Sequence, residues 1–235
     1  LNSMSNIQEI FGVKIHTGEN THPGSGTADR HLEEHEVFIR ALSFLKNQRN
    51  PIMIELGSFW ALWSLCFRHK FPEGRNILVD LGKNQLKTGV DNFKLNNFTE
   101  THYWGGFFIK SSGTFRRKGK DIDYENTKNT KVGPELDFIN LWQEQELEFV
   151  DLLHLDIEGS ELPLLEQLDK AGYPCISEGK YYWANMFHSI HTLVVATHSS
   201  DIHEKVLAIL KNNRYYVCSH RLFSYKGDGH IIATR

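Results

Sequence analysis

Phe149-Val150-Asp151-Leu152-Leu153-His154-Leu155-Asp156-Ile157-Glu158-Gly159-Ser160-Glu161 is a nearly continuous apolar run that ends in carboxylates and a glycine. Leu152, Leu153, Leu155 and Ile157 fill it as residues fill a central parallel strand covered on both faces. The charges gather where such a strand leaves its sheet, and in open α/β sheets that carboxyl end is where ligands bind. Asp156 still lies inside the apolar run, where a carboxylate is rare without a partner, so it reads as a site residue. Glu161 reads as a helix-start residue, worth about 0.3–1 kcal/mol against the positive end of the following helix. Glu158 admits both readings.

The pattern repeats on either side. Upstream, Pro51 to Ser58 is a short apolar strand closed by Glu55 and Gly57, followed by a helix over Phe59 to His69 that is apolar nearly all round. Ile77-Leu78-Val79-Asp80 is a second strand ending in acid, and the next helix carries Leu86, Val90 and Phe93 on its inner side. A third strand is expected over His102 to Ile109, broken by Gly105-Gly106, and a helix from Glu135 to about Glu146. Downstream, Ser160 caps a helix with Leu162, Leu165 and Leu168 inward, Thr192 to His198 is a buried strand, and Ile202, Val206, Ile209 and Leu210 mark the helix after it. Tyr215 to Cys218 and His230 to Ala233, joined by a short turn-rich link, form an antiparallel hairpin. The fold class is therefore α/β, a mostly parallel sheet with one reversed strand near its edge.

Ahead of these elements, residues 1–28 read as an irregular N-terminal arm, with Leu1-Asn2-Ser3 before Met4 as a tag remnant. Residues 29–235 read as one domain that opens with a helix to Arg49, and residues 110–131, where hydrophobicity collapses, as a mobile loop or lid. A chain of 235 residues, 40% hydrophobic, suffices for one sizeable core. The net charge of −3 supplies no global basic field, which argues for a small-molecule partner and against nucleic acid. Cys66, Cys175 and Cys218 are odd in number and form no C-x-x-C pair, which points to a reducing, cytoplasmic setting. No apolar run approaches the roughly 18–20 residues of a membrane span.

Glu55, Asp80 and Asp156 thus stand at three strand ends, and Glu55 and Asp80 are 25 residues apart, the length of one strand-helix-strand unit. An acid ending the second strand is the usual partner of ribose hydroxyls, so the cofactor expected carries a nucleoside. The turn Glu55-Leu56-Gly57-Ser58-Phe59-Trp60-Ala61 has one glycine where a dinucleotide fingerprint has three, and no phosphate loop of the G-x-x-x-x-G-K type occurs.

Ile54-Glu55-Leu56-Gly57-Ser58, Asp80 with the helix ending Asn92-Phe93-Lys94-Leu95-Asn96, and above all Asp151 to Glu161 resemble the FkbM-type S-adenosylmethionine-dependent methyltransferases, over roughly Pro51 to Ala233. The resemblance implies a Rossmann-like class I methyltransferase fold, a seven-stranded mostly parallel sheet with one antiparallel strand, and O-methylation of a sugar or natural product. It implies that Glu55, Gly57 and Ser58 hold the methionine end of the cofactor, that Asp80 holds its ribose, and that Gly105, Gly106 or Phe107 flank its adenine. One departure stands out: Leu81-Gly82-Lys83 follows Asp80 where the family often has proline. Asp156, Glu158 and His198 are the candidate catalytic residues, with His154 more readily a core residue. Asp156, Glu158, His198 and His203 together would suit a divalent metal, but their spacing is no known ligand signature, and a metal is not favoured. The alternatives are a metal-dependent hydrolase on the same carboxylates and a noncatalytic binding module. Trp60, Trp104, Tyr181, Tyr182 and Trp183 serve either an acceptor pocket or the core, and His22 and Arg30 are further candidates to close the site.

Overall fold

The computed structural model describes residues 6–17, 27–45, 48–106, 114–117, 120–123, 136–170, 172–177, 180–222 and 229–235. Its contacts divide the chain into two compact units, Leu1–Gly106 with Lys128–Asp137, and Phe107–Thr127 with Phe138–Arg235.

Unit 1 holds the strands β1 (Asn6–Ile10), β2 (Val13–Thr17), β3 (Ile52–Leu56), β4 (Arg75–Asp80) and β5 (Thr101–Trp104), and the helices α1 (Thr27–Ser43), α2 (Leu62–Lys70) and α3 (Lys83–Leu95). β3, β4 and β5 pair in parallel, with Ile54 opposite Ile77 and Leu78 opposite His102. Met53, Ile54, Leu56, Ile77, Leu78 and Val79 are buried, which is why β3 and β4 read as unbroken apolar runs. Gly74 ends the link from α2 to β4 where only glycine fits, since a Cβ there would lie 2.8 Å from Phe67 and 3.0 Å from the Phe71 carbonyl.

Residues 6–17, assigned by the sequence to an irregular arm, form the antiparallel hairpin β1–β2 instead. Its turn is Phe11-Gly12, both at positive φ, the backbone that matches strand twist in a tight hairpin. Val13 and Ile15 point into the core. The Asn96 side chain accepts from Lys14 N–H and donates to its carbonyl, while Asn92 Oδ1 accepts from His16 N–H, so α3 grips the backbone of β2. Short polar flanks hide this two-residue alternation in the sequence.

Unit 2 holds β6 (Thr114–Arg117), β7 (Lys120–Asp123), β8 (Val150–Leu155), β9 (Gly172–Ser177), β10 (Lys180–Asn185), β11 (Ile190–Thr197), β12 (Tyr216–Arg221) and β13 (Gly229–Thr234). Its helices are α4 (Phe138–Glu144), α5 (Glu161–Lys170) and α6 (Ser200–Asn212), with a single 3-10 turn at Met186–Ser189. β11 lies parallel to β8, and β13 runs antiparallel to both β11 and β12, so the expected reversed strand is β13, second from the edge. Within unit 2 the strand order is β12-β13-β11-β8, and within unit 1 it is β3-β4-β5. Part of the expected loop at 110–131 is the hairpin β6–β7; the rest of that stretch lies outside the described residues. The hairpin β9–β10 has no counterpart in the sequence reading, Pro174 having masked its first strand. Among the described residues no helix is long and apolar enough to cross a membrane.

His203 on α6 is fully buried, with Nδ1 2.8 Å from Thr197 Oγ1 and Nε2 3.4 Å from His220 Nδ1. Burial first, then His220 and His230, push its titration below the usual imidazole value, against a smaller upward pull from Glu204. Burial lowers His35, His188 and His191 as well. The unfolded chain therefore binds protons before the folded one as pH falls, so the stability these groups contribute is complete above about pH 6.5 and is lost as pH drops through their folded values. The expected outcome is a melting temperature that falls between pH 7 and pH 5, with a shallower fall in His203→Gln; an equally steep fall in that variant would remove His203 from the account.

Candidate functional site

In unit 1 the chemistry sits at the carboxyl ends of β3, β4 and β5. After Leu56 the chain reverses through Gly57 at φ +80°, and the N–H groups of Gly57 and Ser58 both donate to Val79 O at 2.9 Å. Phe59 at φ +47° and Ala61 at φ +63° follow, and left-handed backbone at residues with side chains costs about 1–3 kcal/mol each. Asp80 holds this turn: Oδ2 accepts from Phe59 N–H at 2.7 Å, and Oδ1 accepts from Gly82 N–H at 2.6 Å. Asn92, fully buried on α3, donates to Trp60 O at 3.0 Å. Gly89 on the same helix lets the turn approach, since a Cβ there would lie 3.1 Å from Ala61 Cβ.

The Ser58 hydroxyl, 2% exposed, has no hydrogen-bond partner among the described residues. Each Asp80 carboxylate oxygen accepts one backbone N–H of this turn. Beside Asp80, Trp104 donates its indole N–H to Leu81 O at 3.1 Å, and the Lys83 amine lies 4.8 Å above its ring. Gly105 N–H donates to Asp80 O at 3.0 Å, and Gly106 O accepts from Leu136 N–H at 2.8 Å. Phe107 lies outside the described residues.

Glu55 has work of its own. Its carboxylate is buried and Oε2 accepts from Ser64 N–H at 3.2 Å in the first turn of α2. That turn contains no acid, and Ala61 at its cap contributes no side-chain bond, so a carboxylate from β3 answers the positive end of the helix. Burial and then Glu55 push the Cys66 thiol up to about 12. The expected contact of Glu55 with a cofactor is thereby joined by a helix-capping bond that the sequence did not reveal.

In unit 2, Asp156 follows β8 and His198 follows β11, with Asp156 Oδ1 3.2 Å from His198 Nε2. Glu161 Oε1 lies 3.1 Å from the same nitrogen. Glu161 is the first residue of α5, as expected, yet it is fully buried: Oε1 accepts from Ile157 N–H at 2.7 Å and Oε2 from Gly159 N–H at 2.9 Å. It thereby closes a turn in which Glu158 stands at φ +57° and Gly159 at φ +104°. The Asp156 side chain is 38% exposed and that of His198 15%. Glu158 is exposed on the same turn.

Asp156, Glu161 and His198 each offer one atom within 4.8 Å of the others, a set able to hold a metal ion. The metal set read from the sequence needs correcting accordingly. Glu158 does not join it, and His203 is engaged by Thr197 and His220. His154 is buried in β8 and Trp60 in the core of unit 1. His22 and the side chains of Arg30, Tyr181, Tyr182 and Trp183 lie outside the described residues.

No family model matches the chain, and no curated protein matches it either. Among solved structures, the METTL16 MTase domain superposes with a TM-score of 0.55 at 8% identity, over 95% of this chain and 74% of the other. The N-terminal domain of human METTL16 in complex with SAH gives a TM-score of 0.53 at 8% identity, over 95% and 76%. The chain has the class I methyltransferase fold. At this identity the likeness concerns the methyltransferase fold alone, and it lends nothing to the metal-dependent hydrolase.

Replacing Glu161 tests whether it holds the β8–α5 turn. Glu161→Ala leaves two N–H groups without their acceptor, at about 1–3 kcal/mol each when buried, so urea denaturation should show a loss of about 2–6 kcal/mol. Glu161→Gln, which keeps one acceptor oxygen, should recover about half.

Proposed function

We propose that this protein is an S-adenosylmethionine-dependent methyltransferase of the FkbM type that methylates a hydroxyl group on a sugar or natural-product small molecule. The observation that carries this reading is the turn after β3, with its partnerless buried Ser58 hydroxyl, tied to the Asp80 carboxylate at the end of β4. Methyltransferase folds with SAH bound, as the human METTL16 domain is described, support it at the level of architecture.

When bound, the cofactor supplies an electrophilic methyl group on a sulfonium. Asp80 would accept hydrogen bonds from the ribose hydroxyls, Ser58 Oγ and the backbone around Gly57 would hold the amino-acid end, and Gly105 and Gly106 would border the base. Methyl transfer to a hydroxyl also needs the acceptor proton removed, and a positioned base contributes about 10²–10⁴-fold. Asp156, the more exposed carboxylate of its cluster, receives that proton; His198, whose Nε2 lies 3.2 Å from Asp156 and 3.1 Å from Glu161, stands beside it as an electrostatic partner. Glu158, exposed on the neighbouring turn, orients the acceptor. Glu161 positions His198 and does not meet the substrate.

Calorimetry with S-adenosylhomocysteine checks the cofactor half: micromolar binding is expected, weakened about 10–150-fold in Asp80→Ala, as befits hydrogen bonds to a charged group. No binding at millimolar ligand would sink the proposal. Asp156→Asn should keep that affinity yet lose about 10²–10⁴-fold in turnover once an acceptor is found.

A further inference from the structure

We propose a second ligand site in unit 1, at the starting ends of β4 and β5, for a small zwitterion of amino-acid size. A cavity of about 320 Å³ lies there, lined by Arg68, Glu73, Arg75, Asn76, Glu100 and Thr101 among others. That volume is at the lower end of the range for small-ligand pockets. β4 runs from this cavity at Arg75 and Asn76 to Asp80 at its other end, so the site is separate from the turn that holds Asp80 and does not depend on the function proposed above.

The lining contains polar groups that the fold itself leaves unsatisfied. Asn76 is fully buried, and neither its Oδ1 nor its Nδ2 has a partner among the described residues. Arg68, 8% exposed, spends Nη1 on Thr99 O at 2.7 Å and Nη2 on Pro72 O at 2.8 Å, and lies 5.0 Å over the Phe98 ring. Its Nε–H has no partner among the described residues. Buried polar groups in folded proteins are nearly always paired, by protein, water or ligand. A side chain of value only for packing would be cheaper as leucine at position 76, which is fully buried at the start of β4 just before Ile77, Leu78 and Val79.

The chemistry of the lining selects the ligand. Arg68 and Arg75 balance Glu73 and Glu100, so a ligand with no net charge fits best. The Arg68 Nε–H and the Asn76 amide N–H suit a carboxylate. Asn76 Oδ1, Glu73 and Glu100 suit an ammonium, although Glu100 also lies 3.3 Å from His102 Nδ1. One molecule carrying both groups satisfies both halves, whereas an oxyanion alone would face the two glutamates.

Titration of the full chain with glycine, L-serine and L-glutamate, followed by calorimetry and ligand-observed NMR, tests this. At least one should bind saturably with Kd below about 1 mM, and acetate and methylammonium should each bind at least tenfold more weakly. Asn76→Leu should abolish the binding while circular dichroism shows a folded chain; where that variant does not fold, Asn76→Asp, which repels a carboxylate, should do the same. No saturation by any of the three up to about 10 mM, or binding that survives both substitutions, overturns the proposal and leaves a cavity filled by water.

Discussion

A parallel strand covered on both faces gives polar groups access to solvent and ligands only near its ends, and the placement of the candidate site residues follows from that constraint. β8 is buried at every residue and β3, β4 and β11 at nearly every one. Their chemistry is therefore pushed to their exits, where Ser58, Asp80, Asp156 and His198 stand, and to the entry of β4, where Arg68 and Asn76 meet. Nothing comparable occurs along the antiparallel edge strand β12, where Tyr216 is 73% exposed and polarity alternates freely.

The exits share a device. Asp80 accepts N–H groups from Phe59 and Gly82, and Glu161 accepts them from Ile157 and Gly159. Each carboxylate spans a turn that contains left-handed backbone, at Phe59 in one case and at Glu158 and Gly159 in the other. A charged acceptor on two amides is worth more than neutral pairs, and it offsets the conformational cost where the chain bends most sharply. Glu55 uses the same principle with a helix terminus as its partner. The acids at the strand ends are thus structural as well as chemical, which is why three of them punctuate the sequence so regularly.

The architecture was legible because burial on both faces leaves continuous apolar runs, and because each run stops at acid and glycine. The reversed strand could be read from the short turn-rich link between the runs Tyr215 to Cys218 and His230 to Ala233. What escaped was of two kinds. The hairpins β1–β2 and β6–β7 have too few apolar residues for their period to rise above polar surroundings, Pro174 hid the first strand of β9–β10, and β2 owes its place to Asn92 and Asn96, more than seventy residues away in the chain. The other omission was partnership: spacing places Glu161 at the start of α5, yet nothing in the run Ile157 to Glu161 reveals that its carboxylate folds back over its own turn and meets His198.

Burial then divides the carboxylates by role. Glu55 and Glu161 are at most 1% exposed and are surrounded by backbone donors that fix them in place. Groups so enclosed fix the backbone around them: Glu55 caps α2 and Glu161 closes the turn between β8 and α5. Asp156 differs by its side chain being 38% exposed while still 3.2 Å from His198, which combines access with a fixed orientation. Asp80 is a third case: two backbone amides hold it at the exit of β4. An acid in a strand-end motif is therefore assigned by its exposure and by the number of donors already bound to it, two quantities that a motif does not encode.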